Sequence, residues 1–357
     1  MLSIHYGKIN QVQCGKMKSQ DGTVTIKDVA AIAGLTPAAV SMILNGKGTF
    51  REETIKKVKK IVRELNYVPN VNATRLVKRE TKLIGLLVPS MAEPFTVEVL
   101  RGIESQIRNS GYNLVIHSTI GRPKSEEEIY YDIARSRQVD GIVVQLFDHN
   151  QNRTQEFIRH NLPCVVIEAD LKELDSISVN NYEGGFRATD YLVRKGKKRI
   201  LLIYGPMPST VMSERRRGYE AALKKNKIRL SKKLLLEVPY KISEMRQQGS
   251  EVIESFIRKS RTLPFDAVFC AAGDEMAIGI VTALLEHGYR IPEQVAVIGF
   301  DDQPIAQLIS PHLTTVRQPI QKMGALALEF LLHRIKNPHA PRQNRRLEPE
   351  LIVRETA

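Results

Sequence analysis

Short runs of continuous apolar residues, separated by amphipathic stretches, constrain this chain more than any other feature. The runs are LIGLLV (83–88), YNLVIH (112–117), GIVVQL (141–146), CVVIEA (164–169), RILLIYG (199–205), DAVFCAA (266–272), VAVIGF (295–300) and ELIVR (350–354). Between them, stretches near 96–109, 125–137, 150–160, 184–195, 214–226, 243–259, 274–288 and 320–336 repeat their apolar positions with a helical period. A strand that is apolar on both sides must be covered on both faces, and its alternation with helices is what a parallel sheet requires. Eight such units exceed one comfortable open sheet, and the pattern restarts after Val179-Asn180-Asn181. The fold class expected is α/β: two doubly wound parallel lobes with a cleft between them.

Sheets of this kind bind ligands outside the carboxyl ends of their strands. The loops there are Pro89–Phe95, Glu168–Lys172, Gly205–Arg217, Ala271–Glu275 and Phe300–Gln303, and they hold Phe95, Glu168, Ser209, Arg215, Asp274 and Asp301. One ring among hydroxyls, carboxylates and a guanidinium suits a small polyhydroxylated or charged metabolite gripped by bidentate hydrogen bonds. A purely structural alternative stands beside this reading: Asp274 as the cap of the helix at 274–288, Asp301 as the cap of a turn before Pro304.

Upstream of the lobes, TIKDVAAIAGLTPAAVSMILNG (25–46) has a different texture. Thr25 with Asp28 three places on forms a capping pair, and Gly34 ends the short helix that follows. Thr36 caps a second helix with Pro37 in its first turn, and Asn45-Gly46 ends it. Two short helices across a Gly-containing turn make a helix-turn-helix. A third helix over 53–65 supplies Ile55, Val58, Ile61, Val62 and Leu65 to close the core and turns Lys56, Lys57, Lys59, Lys60 and Arg63 outward. Thr49 with Glu52 is the expected cap of that helix. Residues 70–82 are too short to nucleate a stable helix alone and should be helical only when held.

Charge agrees with a nucleic-acid partner. The chain carries a formal +14, and residues 1–82 hold 15 Lys/Arg against 6 Asp/Glu, a net +9 that leaves +5 for the remainder. A positive field at one end steers toward a polyanion. The basic run RKGKKR (194–199) reads as a solvated turn. Cys14, Cys164 and Cys270 are isolated, the last two in apolar runs, and read as thiols in a reducing cytoplasm. No stretch approaches a membrane span, and residues 1–22 lack signal-peptide order, so they are expected to be a flexible leader, with translation starting at Met1 or nearer Met17. There is no dinucleotide or phosphate-loop glycine pattern, no metal spacing among the eight histidines and no nucleophile–base arrangement. No metal, cofactor or catalytic residue is expected, which disfavours a fused enzyme. A transporter's solute-binding protein would share two lobes but not the basic headpiece.

TIKDVAAIAGLTPAAVSMILNG, ELNYVPNVNATRL, GPMPSTVMSERRRGY, GDEMAIG, VIGFDD and LTTVRQP, in that order, resemble the lactose-repressor (LacI–GalR) family of bacterial transcription regulators from about Val24 onward. The resemblance implies a helix-turn-helix domain over 23–69, a hinge helix and linker over 70–82, a first lobe over 83–180 plus about 318–346, and a second over 181–317 plus about 347–357. It implies a cytoplasmic homodimer that represses transcription from a pseudo-palindromic operator under control of a small effector, a sugar or sugar derivative. Thr36, Pro37, Ala38, Ser41 and Asn45 would face the operator and Leu76 would wedge into the minor groove, with Thr25, Met42, Tyr67, Asn70 and Ala73 completing the DNA-contacting set. Arg215 and Asp301 match the effector-gripping arginine and aspartate. Two departures matter: Met42 replaces an arginine common in relatives, and Ala169 and Ser209 stand where the purine-responsive member has tryptophan and arginine, which argues against a purine.

Overall fold

The computed structural model describes residues 24–68, 80–121, 123–146, 151–207, 209–239, 241–260 and 262–357. The expectations for Asn70, Ala73, Leu76 and residues 1–22 therefore lie outside the described residues. The chain divides into two compact units, 1–80 and 81–357.

In the first unit, α1 (Ile26–Ala33), α2 (Pro37–Leu44) and α3 (Glu52–Glu64) enclose Val29, Ala30, Ala33, Val40, Ile43, Val58, Ile61 and Tyr67. The Thr25 N–H and hydroxyl both donate to the Asp28 carboxylate at 2.7 Å. Gly34 closes α1 with φ 71° and carries the 100° bend between the two helices, a left-handed backbone that costs glycine nothing. The Thr36 hydroxyl accepts from the Ala39 N–H at 3.2 Å. The third helix corrects one expectation: it begins at Glu52 with Arg51 as N-cap and no side-chain cap bond, not at Thr49. Phe50 explains the shift, because packing its ring on the headpiece core keeps residues 49–51 out of the helix.

The second unit holds two six-stranded sheets. One orders as β2 (Asn113–Ser118), β1 (Leu83–Val88), β3 (Gly141–Gln145), β4 (Cys164–Ile167), β5 (Asp175–Val179) and β11 (Asn344–Leu347), all parallel. The other orders as β7 (Leu235–Glu237), β6 (Ile200–Tyr204), β8 (Ala267–Cys270), β9 (Ala296–Asp301), β10 (Thr314–Arg317) and β12 (Glu350–Ile352), with only β12 antiparallel. Alternate residues of each strand pack on opposite layers. Ile84, Leu86 and Val88 meet α4 (Pro94–Ile107) and α11 (Ile320–Lys336), whereas Leu87 joins the layer of α5 (Glu126–Ser136) and α6 (Gln151–Arg159). In the second lobe Leu201 and Ile203 face α9 (Met245–Lys259) and α10 (Asp274–Glu286), while Leu202 and Tyr204 face α7 (Asn181–Arg194) and α8 (Thr210–Lys225). The chain passes between the sheets three times: after β5, after β10 and after β11.

Strands β5, β7, β10 and β11 have no counterpart among the apolar runs of the sequence. Thr314 and Thr315 of β10 are buried through hydrogen bonds, the first giving its N–H to the Thr356 hydroxyl at 2.8 Å, the second its hydroxyl to Asp274. Helices α7 and α8 touch backbone to backbone. A Cβ on Gly185 would lie 2.1 Å from the Arg215 carbonyl oxygen, and one on Gly218 2.1 Å from that of Tyr182. Neither neighbour is a flexible side chain that could swing aside. Gly185→Ala should therefore push α8 outward and cost ~1–3 kcal/mol, the usual penalty for overpacking. Urea denaturation checks this; an unchanged midpoint would mean that the two helices are not in contact there.

Candidate ligand-binding cavity and DNA-binding surface

Both sheets change winding direction next to their second strand, between β1 and β3 and between β6 and β8. Loops diverge there and leave a crevice. A cavity of about 340 Å³ occupies it, within the range of small-molecule sites. All six residues singled out from the sequence line it. Phe95 comes from the first turn of α4 and Glu168 from the end of β4; Ser209 and Arg215 come from the start of α8, Asp274 from the start of α10, Asp301 from the end of β9. Glu93, Met207, Met212, Met245 and Gln303 complete the wall in ways the sequence reading missed. Glu93 sits inside the Pro89–Phe95 loop; the methionines carry no signal that separates a cavity wall from a core.

Arg215 is buried to 3% exposure. Its Nε donates to Asn181 Oδ1 at 2.9 Å and its Nη1 to the Ala271 carbonyl at 2.7 Å, and the guanidinium stacks 3.6 Å from the Phe300 ring centroid. Four buried carboxyls line the same cavity. Burial and the nearby Asp301 push Glu93 up to about 8, against weaker opposing bonds from Thr96 and Gln145. Burial lifts Glu168 well above the usual carboxylate range although Arg215 opposes it, and lifts Asp301 to about 6 against Arg215 and Gln318. Burial and Asp301 likewise raise Asp274. Asp274 is bonded on both oxygens: it accepts the Thr315 hydroxyl at 2.5 Å and the Gln303 N–H at 2.8 Å. Neither bond caps α10, whose N-cap is Gly273, so Asp274 ties the β9 loop to that helix. Gly299 makes room for it, since a Cβ there would lie 2.3 Å from Asp274 Oδ1.

Two features point to the cavity as a place where the protein meets something else. Glu168 Oε2 and Gln303 Oε1 are buried with no hydrogen-bond partner among the described residues. Glu168 and Asp301 also have positive φ, 70° and 112°, on opposite walls. Non-glycine residues hold such angles at a cost, and such strain clusters at binding sites. Carboxyls kept protonated near neutrality offer both an O–H donor and an acceptor, as ligand hydroxyls do. Ser209 N-caps α8 by accepting from Met212, and Ala169 does not reach the cavity; its methyl belongs to the core around Leu171 and Leu174.

On the headpiece, Thr36, Pro37, Ala38, Met42 and Asn45 are exposed on or beside α2, and Thr25 and Ser41 are half-buried. The Asn45 amide donates to the Ser41 carbonyl at 2.7 Å. Tyr67 departs from the expected contact set: at 8% exposure its ring is core. Lys57 on α3 donates to the Ala33 carbonyl at 2.9 Å, satisfying the end of α1, so part of the basic face is structural.

The sequence matches the family model "Bacterial regulatory proteins, lacI family" over residues 25–70 and "Periplasmic binding protein-like domain" over 189–357. It is 35% identical over 335 residues to the HTH-type transcriptional repressor PurR of Vibrio atlanticus (strain LGP32), spanning 93% of this chain and 98% of that protein. It is 36% identical over 334 residues to the ribose operon repressor of Haemophilus influenzae (strain ATCC 51907 / DSM 11121 / KW20 / Rd), with the same two coverages. Among solved structures it resembles the transcriptional regulator CelR–cellobiose complex, at TM-score 0.69 and 27% identity over 93% of this chain and 99% of that one. These relatives are transcriptional regulators, not enzymes.

The raised Glu93 pKa has a measurable consequence. Folded, the carboxyl keeps its proton up to about 8, whereas its ordinary value is 4.5. The folded state therefore binds more protons between those values, and the contribution of this group to stability declines as pH rises through the window. Glu93→Gln cannot ionise. At about pH 9 it should be more stable than the parent by at least ~1 kcal/mol, the worth of under one pKa unit, with the gap closing toward pH 5. Parallel chemical-denaturation profiles across that range would mean that Glu93 is ionised in the folded chain.

Proposed function

Because the chain belongs to the LacI family of bacterial regulatory proteins, we propose that it is a homodimeric repressor whose operator affinity is set by a small carbohydrate held between its two lobes. One observation carries this reading. A single cavity draws Phe95 and Glu168 from one lobe and Arg215 and Asp301 from the other, at the carboxyl ends of both sheets. A ligand that touches both walls binds better at one interlobe angle than at another, and so shifts the population of that angle. The cavity shares no residue with the headpiece, so its influence on DNA is a coupling free energy, typically ~1–3 kcal/mol and reciprocal.

Hydroxyl-bearing ligands fit the wall. They can donate to the orphaned Glu168 and Gln303 oxygens, pair with Arg215 and Asp301, and lay a C–H face on Phe95. The ribose operon repressor and the cellobiose-bound regulator, both named for sugars, support the same class. A purine finds one ring to stack on, Phe95, and no tryptophan in the chain. On the DNA side, Ala38, Ser41 and Asn45 form an i, i+3, i+7 stripe on α2 that fits the major groove, and Met42 offers an apolar contact to a thymine methyl in place of a base-edge hydrogen bond. Two headpieces on one duplex raise each other's effective concentration.

Native mass spectrometry of the purified chain with a metabolite extract should retain a carbohydrate. Calorimetry with that ligand should then find Arg215→Ala weakened by ~2–5 kcal/mol, because the substitution leaves buried acids without their cation. Unaltered affinity would reduce Arg215 to a structural role. Footprinting should show two protected half-sites per dimer; one half-site held by a monomer would refute the dimeric reading.

A further inference from the structure

A second concentration of basic residues lies in the second unit. Residues 190–199 and 219–233 hold eleven Lys/Arg against Asp190 and Glu220, a net +9, equal to that of residues 1–82. These segments are the carboxyl ends of α7 and α8 and the loops that lead into β6 and β7. The two strands are hydrogen-bonded neighbours, so the loops emerge side by side at the amino edge of the sheet, opposite the edge that carries the cavity. Asp190 fastens them together: it pairs with Arg194 at 2.8 Å and Lys225 at 3.2 Å, and accepts from Asn226 at 2.9 Å.

A helix end attracts cations through its dipole, and this accounts for Arg194, Lys224 and Lys225. It does not account for residues 197–199 and 227–233, which lie beyond the helices. Lys198, Lys224, Lys227, Arg229, Lys232 and Lys233 are exposed and make no ion pair among the described residues. The basic face also continues along the helices over aromatic rings. Arg217 lies over Tyr182 (5.9 Å), Lys225 over Phe186 (5.0 Å) and Lys195 over Tyr191 (5.3 Å), all three rings half-buried on α7. The backbone contact at Gly185 and Gly218 makes the two helices one continuous platform under these groups.

We propose that this face of the second lobe is a second polyanion-binding surface, which takes the phosphate backbone of duplex DNA without reading its sequence. The composition favours nucleic acid. A stable protein interface needs apolar or aromatic anchors at its centre, and a membrane surface needs an apolar face to insert. Leu230 is the one large hydrophobic residue exposed within the two loops among the described residues. Phosphates need only cations, and eight of the eleven are lysines, point charges suited to sequence-independent contact.

The test uses the full chain and random 40-base-pair duplex. One variant changes Lys198, Lys227, Lys232 and Lys233 to serine; a control of equal charge changes Lys172, Lys259, Lys322 and Lys336, exposed lysines elsewhere. Each neutralised phosphate contributes about −0.9 to the slope of log affinity against log salt. The first variant should therefore flatten the slope by about 2–3 relative to the parent, and the control by less than about 1. Equal slopes for variant and control would show a solvated face and overturn the proposal. So would an unchanged duplex slope with lost binding to vesicles of phosphatidylglycerol and phosphatidylcholine, which would assign the face to a membrane.

Discussion

The buried guanidinium of Arg215 is the charge around which the second unit is arranged. An isolated cation at this depth would be prohibitively costly, so the surroundings must supply what water would. Asn181 and the Ala271 carbonyl accept its protons, and Phe300 offers a ring face at 3.6 Å, a stacking worth ~2 kcal/mol or more when desolvated. Each partner depends on a backbone decision elsewhere. Asn181 is the first residue after the chain leaves the first lobe, and the Phe300 ring packs where a Cβ on Gly184 would lie 2.8 Å away. The α8 backbone at Arg215 can approach only because Gly185 is bare. The acids are the other half of the balance. Without the guanidinium, Glu168 and Asp301 would have still less reason to ionise.

The sheet-and-helix framework was readable wherever a strand is buried by apolar side chains on both faces. It was unreadable where hydrogen bonds do the burying. DSISV of β5 includes Asp175, whose carboxylate is fully buried yet receives Arg334 Nε at 2.7 Å and Nη2 at 2.9 Å. No hydropathy pattern can anticipate a partner at residue 334. Thr314 and Thr315 are concealed by the same logic. Boundaries failed for a related reason at α3, where local capping chemistry favoured Thr49 and the tertiary demand of Phe50 won.

The cavity was legible to a different degree. Its six expected residues share a position, the loops at strand ends, and the fold brings all of them to one cavity. Their chemical states were not legible. Whether Asp274 meets a ligand or ties a loop depends on Gln303 and Thr315, and the proton on Glu93 depends on its burial in the folded chain and on an acid two hundred residues away. Charge was half legible. Treating residues beyond 82 as one body with +5 hides a +9 cluster behind an acidic remainder, and RKGKKR alone does not reveal that a second basic loop lies beside it.

The way the sheets are completed has a consequence in time. One edge strand of each, β11 and β12, comes from residues 344–352, and Thr356 accepts the Thr314 N–H and donates to the Val297 carbonyl. During vectorial synthesis five strands of each sheet are made well before their sixth. At ~5–20 residues per second, the first lobe waits many seconds with β5 as an open edge. The first lobe cannot be completed before all but the last strand of the second has been made, so a nascent chain matures as a pair of lobes and never as one lobe followed by the next.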